Sequence, residues 1–204
     1  MEKRNQELAE ILNEHREEIE SGVLVPYALD ECHLQGDDVD SYLWGNRKER
    51  EVIKLDNERD RQTYYGALNL VTQEFIVSPY PVADGENTVK FVQKLQEINS
   101  GKKLLLIWDG ASYHTKGKMR ELLLEQNEGK EQKDWLITCE LFAPYAPEEN
   151  PVEGIWLQVK NFIRRFHYLC TRFSIMKKLF QLFFKFQLFN PPNLEKYDAF
   201  SQLI

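Results

Sequence analysis

Three carboxylates stand where an enzyme could use them. Asp30 lies in the strand-like run 27–33, Asp109 ends the apolar run "KLLLIWD" (103–109), and Glu153 opens a helical segment just after Asn150 and Pro151. An unbroken apolar run reads as a strand buried on both faces, and open α/β sheets bind ligands at the carboxyl ends of such strands. Carboxylates converging from separate elements repel; at about 5 Å and an effective dielectric of ~20, each pair costs roughly 3 kcal/mol. Divalent cations remove that cost, and hard carboxylate oxygens suit Mg²⁺ or Mn²⁺. Two such ions about 3.5–4 Å apart can activate a water or a 3′-hydroxyl and stabilise the leaving oxygen of a phosphodiester.

Taken singly, each carboxylate also has an ordinary reading. Asp30 fits a solvated strand position, and Asp109 fits the turn of "DGASYH". Glu153 fits a capping box, with Asn150 as N-cap, Pro151 at the first helical position and Glu153 at the third. Such a box contributes about 1 kcal/mol. The helix pattern places Val152, Ile155, Trp156, Val159 and Ile163 on an apolar face, with Glu153 beside it in line with Lys160 and Arg164. From that flank Glu153 can reach a cleft. Lys160, Arg164 and Arg165 could then follow a phosphate backbone, or simply form a solvated helix face.

The elements that must position these residues are legible from periodicity. Residues 3–20 read as a helix with Leu8, Ile11, Leu12 and Ile19 on one side, and His15 as a partly buried member of that face. Strand candidates follow at 27–33, 51–55, 62–70 and 74–78, the last two joined as a hairpin around 71–73. Then come a helix at 86–99, the buried strand 103–109, a helix at 115–126, a charged loop at 125–134 and a buried strand at 135–142. Helices at about 151–167 and 172–189 close the chain. This order predicts an α/β fold. Its sheet is mixed, antiparallel first and then parallel through helical crossovers, flanked by helices as in the ribonuclease-H-like arrangement.

Composition narrows the class. The 204 residues carry 42% apolar and 29% charged residues, ordinary for a globular domain with its own core. Three scattered cysteines (Cys32, Cys139, Cys170) match no metal-ligand spacing and read as reduced intracellular thiols. The charged N-terminus has no signal-peptide core, and no stretch approaches the ~20 apolar residues of a membrane span. The expectation is a cytoplasmic protein without a membrane partner. Net charge is −7, but residues 151–204 carry +5 and the other 150 carry −12. An acidic body with one basic flank is compatible with nucleic acid approaching that side.

The stretches "ALDECHLQ…YLWGNRKER", "TYYGALNL", "LLLIWDGASYHTKGKMRELL" and "LFAPYAPEENPVEGIWLQVKNFIRRF" together resemble the catalytic domain of bacterial insertion-sequence transposases. These belong to the mariner-like superfamily of DDE endonucleases. The likeness runs from about Ala28 to the last helix. It rests on a D-E on a strand, an apolar strand into D-G-A-x-x-H, and P-x-x-P-E-x-N-P-x-E-x-I-W. The resemblance implies a ribonuclease-H-like fold with Asp30, Asp109 and Glu153 as catalytic carboxylates and ligands of two Mg²⁺ ions, Mn²⁺ being plausible. It implies cleavage at transposon ends and strand transfer by the freed 3′-hydroxyl. It further implies double-stranded DNA as substrate (transposon ends and target), action as a homodimer, and a bacterial, nucleoid-associated setting. His114 and Asn150 fall where they would shape the site, as does Tyr145 in its turn. Glu31, next to Asp30, points to the other sheet face by strand alternation and is left out of the triad.

Forty-three residues separate Asp109 from Glu153, longer than in compact members, with the charged loop 125–134 taking up the excess. Only about 22 residues precede the first strand. The helix-turn-helix part that family members carry there is therefore expected from an upstream frame, a separate subunit, or not at all if the chain is a relic. The expected division is a helical segment at 1–22, a catalytic domain at 23–170 and a C-terminal helix and tail at 171–204. That last helix, with Phe173, Phe180, Phe183, Phe184, Phe186 and Phe189, packs either on the domain or on a partner. The competing functions are a nuclease that does not transpose and a remnant that binds DNA or protein without cutting.

Overall fold

The computed structural model describes residues 2–38, 59–144 and 146–201. The strand expected at 51–55 and Tyr145 lie outside the described residues. Five strands form one sheet: β1 (Leu24–Gln35), β2 (Arg61–Asn69), β3 (Phe75–Tyr80), β4 (Lys103–Trp108) and β5 (Ile137–Leu141), in the order β3-β2-β1-β4-β5. β1 pairs antiparallel with β2, and β2 with β3; β1–β4 and β4–β5 are parallel. This is the mixed, ribonuclease-H-like sheet expected from the element order.

Alternation along β1 sorts its side chains into two cores. Ala28 and Cys32 face a core shared with α1 (Glu2–Glu14), α6 (Pro151–Arg165) and α7 (Phe173–Lys185). Tyr27 and Leu29 face a second core with α3 (Gly85–Ile98) and α5 (Lys118–Asn127). The sheet is therefore covered on both faces, as its continuous apolar strands require.

Several boundaries differ from the periodicity. The N-terminal helix breaks at His15, giving α1 and a short α2 (Arg16–Glu20); His15 is half-buried and pairs with Glu18 at 3.2 Å. The helix expected from 115 is two pieces, α4 (Ser112–Thr115) and α5, because Gly117 turns the chain at φ 55°. The charged stretch after it is short and tethered. Asn127 accepts from the Leu136 and Ile137 amides and donates to the Ile137 carbonyl, closing α5 onto β5. In α7 and just beyond it, five of the six phenylalanines are buried against α6 and the sheet, while Phe186 is 63% exposed.

Candidate active site

Asp30 sits on β1 directly opposite Gly66 of β2, on the face covered by α6. Gly66 is what allows the helix so close. A Cβ there would lie 2.5 Å from ring atoms of both Trp156 and Phe75. Trp156 thus lies on the bare backbone of β2, held edge-on by Phe75 (centroids 5.1 Å) and stacked near Phe180 (6.2 Å). Its burial contributes on the order of 2–3 kcal/mol. Glu153, three residues earlier on α6, is carried to the Asp30 side of the sheet by this seat.

Asn150 fixes the start of α6. Its Oδ1 accepts from the Val152 amide at 3.1 Å, and its Nδ2 donates to the Leu29 carbonyl at 3.2 Å. The residue that caps the helix is thereby tied to β1 one position before Asp30. The reciprocal half of the expected capping box is absent. The Asn150 amide instead donates to the Pro147 carbonyl at 3.0 Å, within the 3₁₀ turn Pro147–Glu149. Glu153 is exposed, and among the described residues its carboxylate has no hydrogen bond or ion pair. The cap and the carboxylate are separate devices. Asn150→Ala removes a cap worth about 1 kcal/mol and orphans a buried carbonyl worth about 1–3 kcal/mol. The expected loss is about 2–3 kcal/mol by denaturant unfolding, with activity falling further than the folded fraction; parallel falls would mean the cap is structural only.

Asp109 follows the last residue of β4. Its Oδ1 accepts from the Ala111 amide at 3.0 Å and from His114 Nδ1 at 2.8 Å. His114 is 1% exposed, stacked on Trp108 (centroids 4.4 Å, 8° between planes), and its Nε2 contacts Glu31 Oε1 at 2.8 Å. Tyr113 donates to the other Glu31 oxygen at 3.4 Å. Glu31 does lie on the opposite face from Asp30, as alternation requires, but it joins the site from behind through His114. The sequence signal for this contact was the five-residue step from Asp109 to His114. Nothing in strand alternation named Glu31 as its partner.

The electrostatics group the three carboxylates. Burial pushes the Asp30 carboxyl well above its ordinary value, and the charges of Glu153, Glu31 and Asp109 push it further. Partial desolvation against the protein surface raises Glu153, with Lys160 opposing and Asp109 adding to the rise. Asp109 goes the other way, lowered first by its hydrogen bond from His114. For His114 burial alone would lower the pKa, but its bonds to Asp109 and Glu31 outweigh that and lift it to about 9. Among the described residues no set of three His, Cys, Asp or Glu stands close enough to hold an ion as placed. The donor set nevertheless fits a hard divalent cation. It is all oxygen, it carries excess negative charge, and Glu153 and the second oxygen of Asp109 have no hydrogen-bonding partner among the described residues.

The basic helix face is only partly open. Lys160 pairs with Asp38 at 3.1 Å and both are largely covered. Arg164 donates to Asn161 at 3.2 Å, and Arg165 is exposed. Among the described residues no helix is long and apolar enough to cross a membrane.

Comparison with known proteins bears on this arrangement. Solved structures of Mos1 transposase share the fold. They include its paired-end complex with left transposon end (14% identity, TM-score 0.52, covering 98% of this chain and 57% of that one). The Mos1 strand transfer complex matches at 14% identity and TM-score 0.53, covering 98% of this chain and 57% of that one. The Mos1 transposase catalytic domain with raltegravir and Mg matches at 13% identity and TM-score 0.51, covering 97% and 84%. In the first two of these structures the chain thus spans little more than half of the Mos1 chain. No curated protein matches it in sequence. The family model of the DDE superfamily endonucleases matches residues 26–173, a stretch that contains Asp30, Asp109 and Glu153, and this chain belongs to that family.

Proposed function

We propose that this chain is the catalytic domain of a DNA transposase, with Asp30, Asp109 and Glu153 as its catalytic carboxylates. One observation carries the reading. Three carboxylates on β1, at the end of β4 and on the first turn of α6 lie within each other's fields, although each is positioned by separate packing. A fold seldom gathers like charges unless something binds them.

The same three residues would hold two Mg²⁺ ions, or Mn²⁺ in their place. Bound there, such ions lower the pKa of a coordinated water or 3′-hydroxyl and stabilise charge on the leaving oxygen. The protein's own part is positional. Ala111 and His114 tie down one oxygen of Asp109 and leave the other. Asn150 and the Trp156–Gly66 seat hold Glu153 on the Asp30 side of the sheet. Lys160 moderates the charge of Glu153, and Arg165, with Arg164 beside it, offers cations to a phosphate backbone. The proposed substrate is double-stranded DNA, at transposon ends and target. The proposed assembly is a homodimer completed by a helix-turn-helix part encoded upstream, acting in a cytoplasmic, nucleoid setting.

Products decide the reaction. A transposase incubated with Mg²⁺ and a duplex carrying the element's end yields strands joined to target DNA. Simple nicks without joining would reduce the reading to a nuclease, and intact DNA would reduce it to a binding module.

A further inference from the structure

The parallel ladder between β1 and β4 ends at Ala28 opposite Ile107. Asp30 and Asp109 both lie two residues beyond that last pair, so no backbone pairing sets their separation. What spans the gap is a chain of side chains on the α3/α5 face. Glu31 of β1 meets His114 Nε2 at 2.8 Å, and His114 Nδ1 meets Asp109 Oδ1 at 2.8 Å. Each ring nitrogen of His114 thus faces a carboxylate oxygen, one from β1 and one from the end of β4. The ring cannot tilt away, because Trp108 stacks on one face and Tyr113 abuts it edge-on at 4.5 Å. Tyr113 also occupies the second oxygen of Glu31. Glu31 and His114 are 8% and 1% exposed, against 60% for Asp109. The brace is buried and its far end faces solvent.

We propose that Glu31 and His114 are positioning residues for Asp109: their bridge continues the β1–β4 spacing past the end of the ladder and decides which Asp109 oxygen remains for a divalent cation. The inference rests on the assignment of Asp109 as an ion ligand. Partners that orient a metal-binding side chain typically change metal affinity by about 10–100-fold when removed.

The test is Mn²⁺ binding to the whole chain without DNA, followed by electron paramagnetic resonance. His114→Gln and Glu31→Leu are expected to weaken binding by about 10–100-fold while the circular dichroism of the folded protein persists. Glu31→Gln, which keeps an acceptor for Nε2–H, recovers most of what Glu31→Leu loses. Wild-type affinity in folded His114→Gln and Glu31→Leu overturns the proposal. Asp109→Ala separates the two layers. If it loses Mn²⁺ and His114→Gln does not, only the bridge is wrong; if it also binds normally, the ion-site assignment itself fails. Should the bridge variants not fold, the wild type still decides by NMR. The ¹⁵N resonances of the His114 ring are expected to shift on addition of Mg²⁺; indifference to Mg²⁺ overturns the bridge.

Discussion

Replacing Asp30 with asparagine is expected to stop DNA cleavage and, in the absence of cations, to make the protein more stable. The two effects have one cause. Asparagine keeps the size of the side chain but removes the charge proposed to bind an ion. Losing an ion worth about 4 kcal/mol in the transition state slows the reaction on the order of 10³-fold. In the ion-free wild type that same charge is half-buried and lies within the fields of Glu153, Glu31 and Asp109. Its folded pKa lies above its ordinary 3.8, so the folded state holds the proton more tightly than the unfolded chain does. This costs nothing below the ordinary value, and the cost grows as pH rises through the raised one. Thermal melts without cation should therefore show Asp30→Asn above wild type at neutral pH and level with it in acid. Mg²⁺ should raise the wild-type midpoint, increasingly with pH as the competing proton is lost, and leave the variant unmoved. A variant less stable than wild type at neutral pH would mean that Asp30 is a structural residue.

Gly66→Ala is expected to damage both fold and site from the neighbouring strand. The added methyl would sit 2.5 Å from rigid ring atoms of Trp156 and Phe75, neither of which has a flexible end to yield. Overpacking of this kind costs about 1–3 kcal/mol, read as a shift of the urea midpoint. The larger consequence is for Glu153. Trp156 must lift, and Glu153 rides on the same turn of α6. Misplacement of a reacting group by about 1 Å can cost on the order of 10²-fold in rate. Cleavage per folded molecule should therefore fall well below wild type. If it stays normal, α6 tolerates displacement and the seat is packing alone.

These residues also separate what local sequence encodes from what only the assembled fold creates. The strand before Asp109 was legible because six successive residues, five of them apolar, leave no polar face. The start of α6 was legible because Asn-Pro is a strong N-terminal signal. The two-faced role of Asn150 was not, since its bond to Leu29 crosses 121 residues. Gly66 stands out in "TYYGALNL" as a glycine inside a strand, a sign that something approaches closely, but not that the intruder is Trp156. Alternation gives Glu31 its correct face, away from Asp30. Alternation says where a side chain starts, but not that a four-residue helix brings His114 round to meet it. Lys160 read as a free cation on a helix face; its pairing with Asp38 depends on how β1 ends, which local pattern does not encode. Periodicity exposes what each element buries, whereas long-range polar contacts depend on the assembled fold.

The central claim is that Asp30, Asp109 and Glu153 together hold the divalent ions that cut DNA. Its most direct test is cleavage of an end-labelled duplex by the wild type and Asp109→Ala, each with Mg²⁺ and with chelator, on protein shown to be folded. Cleavage is expected only from the wild type with Mg²⁺. Mg²⁺-dependent cleavage persisting in folded Asp109→Ala would contradict it.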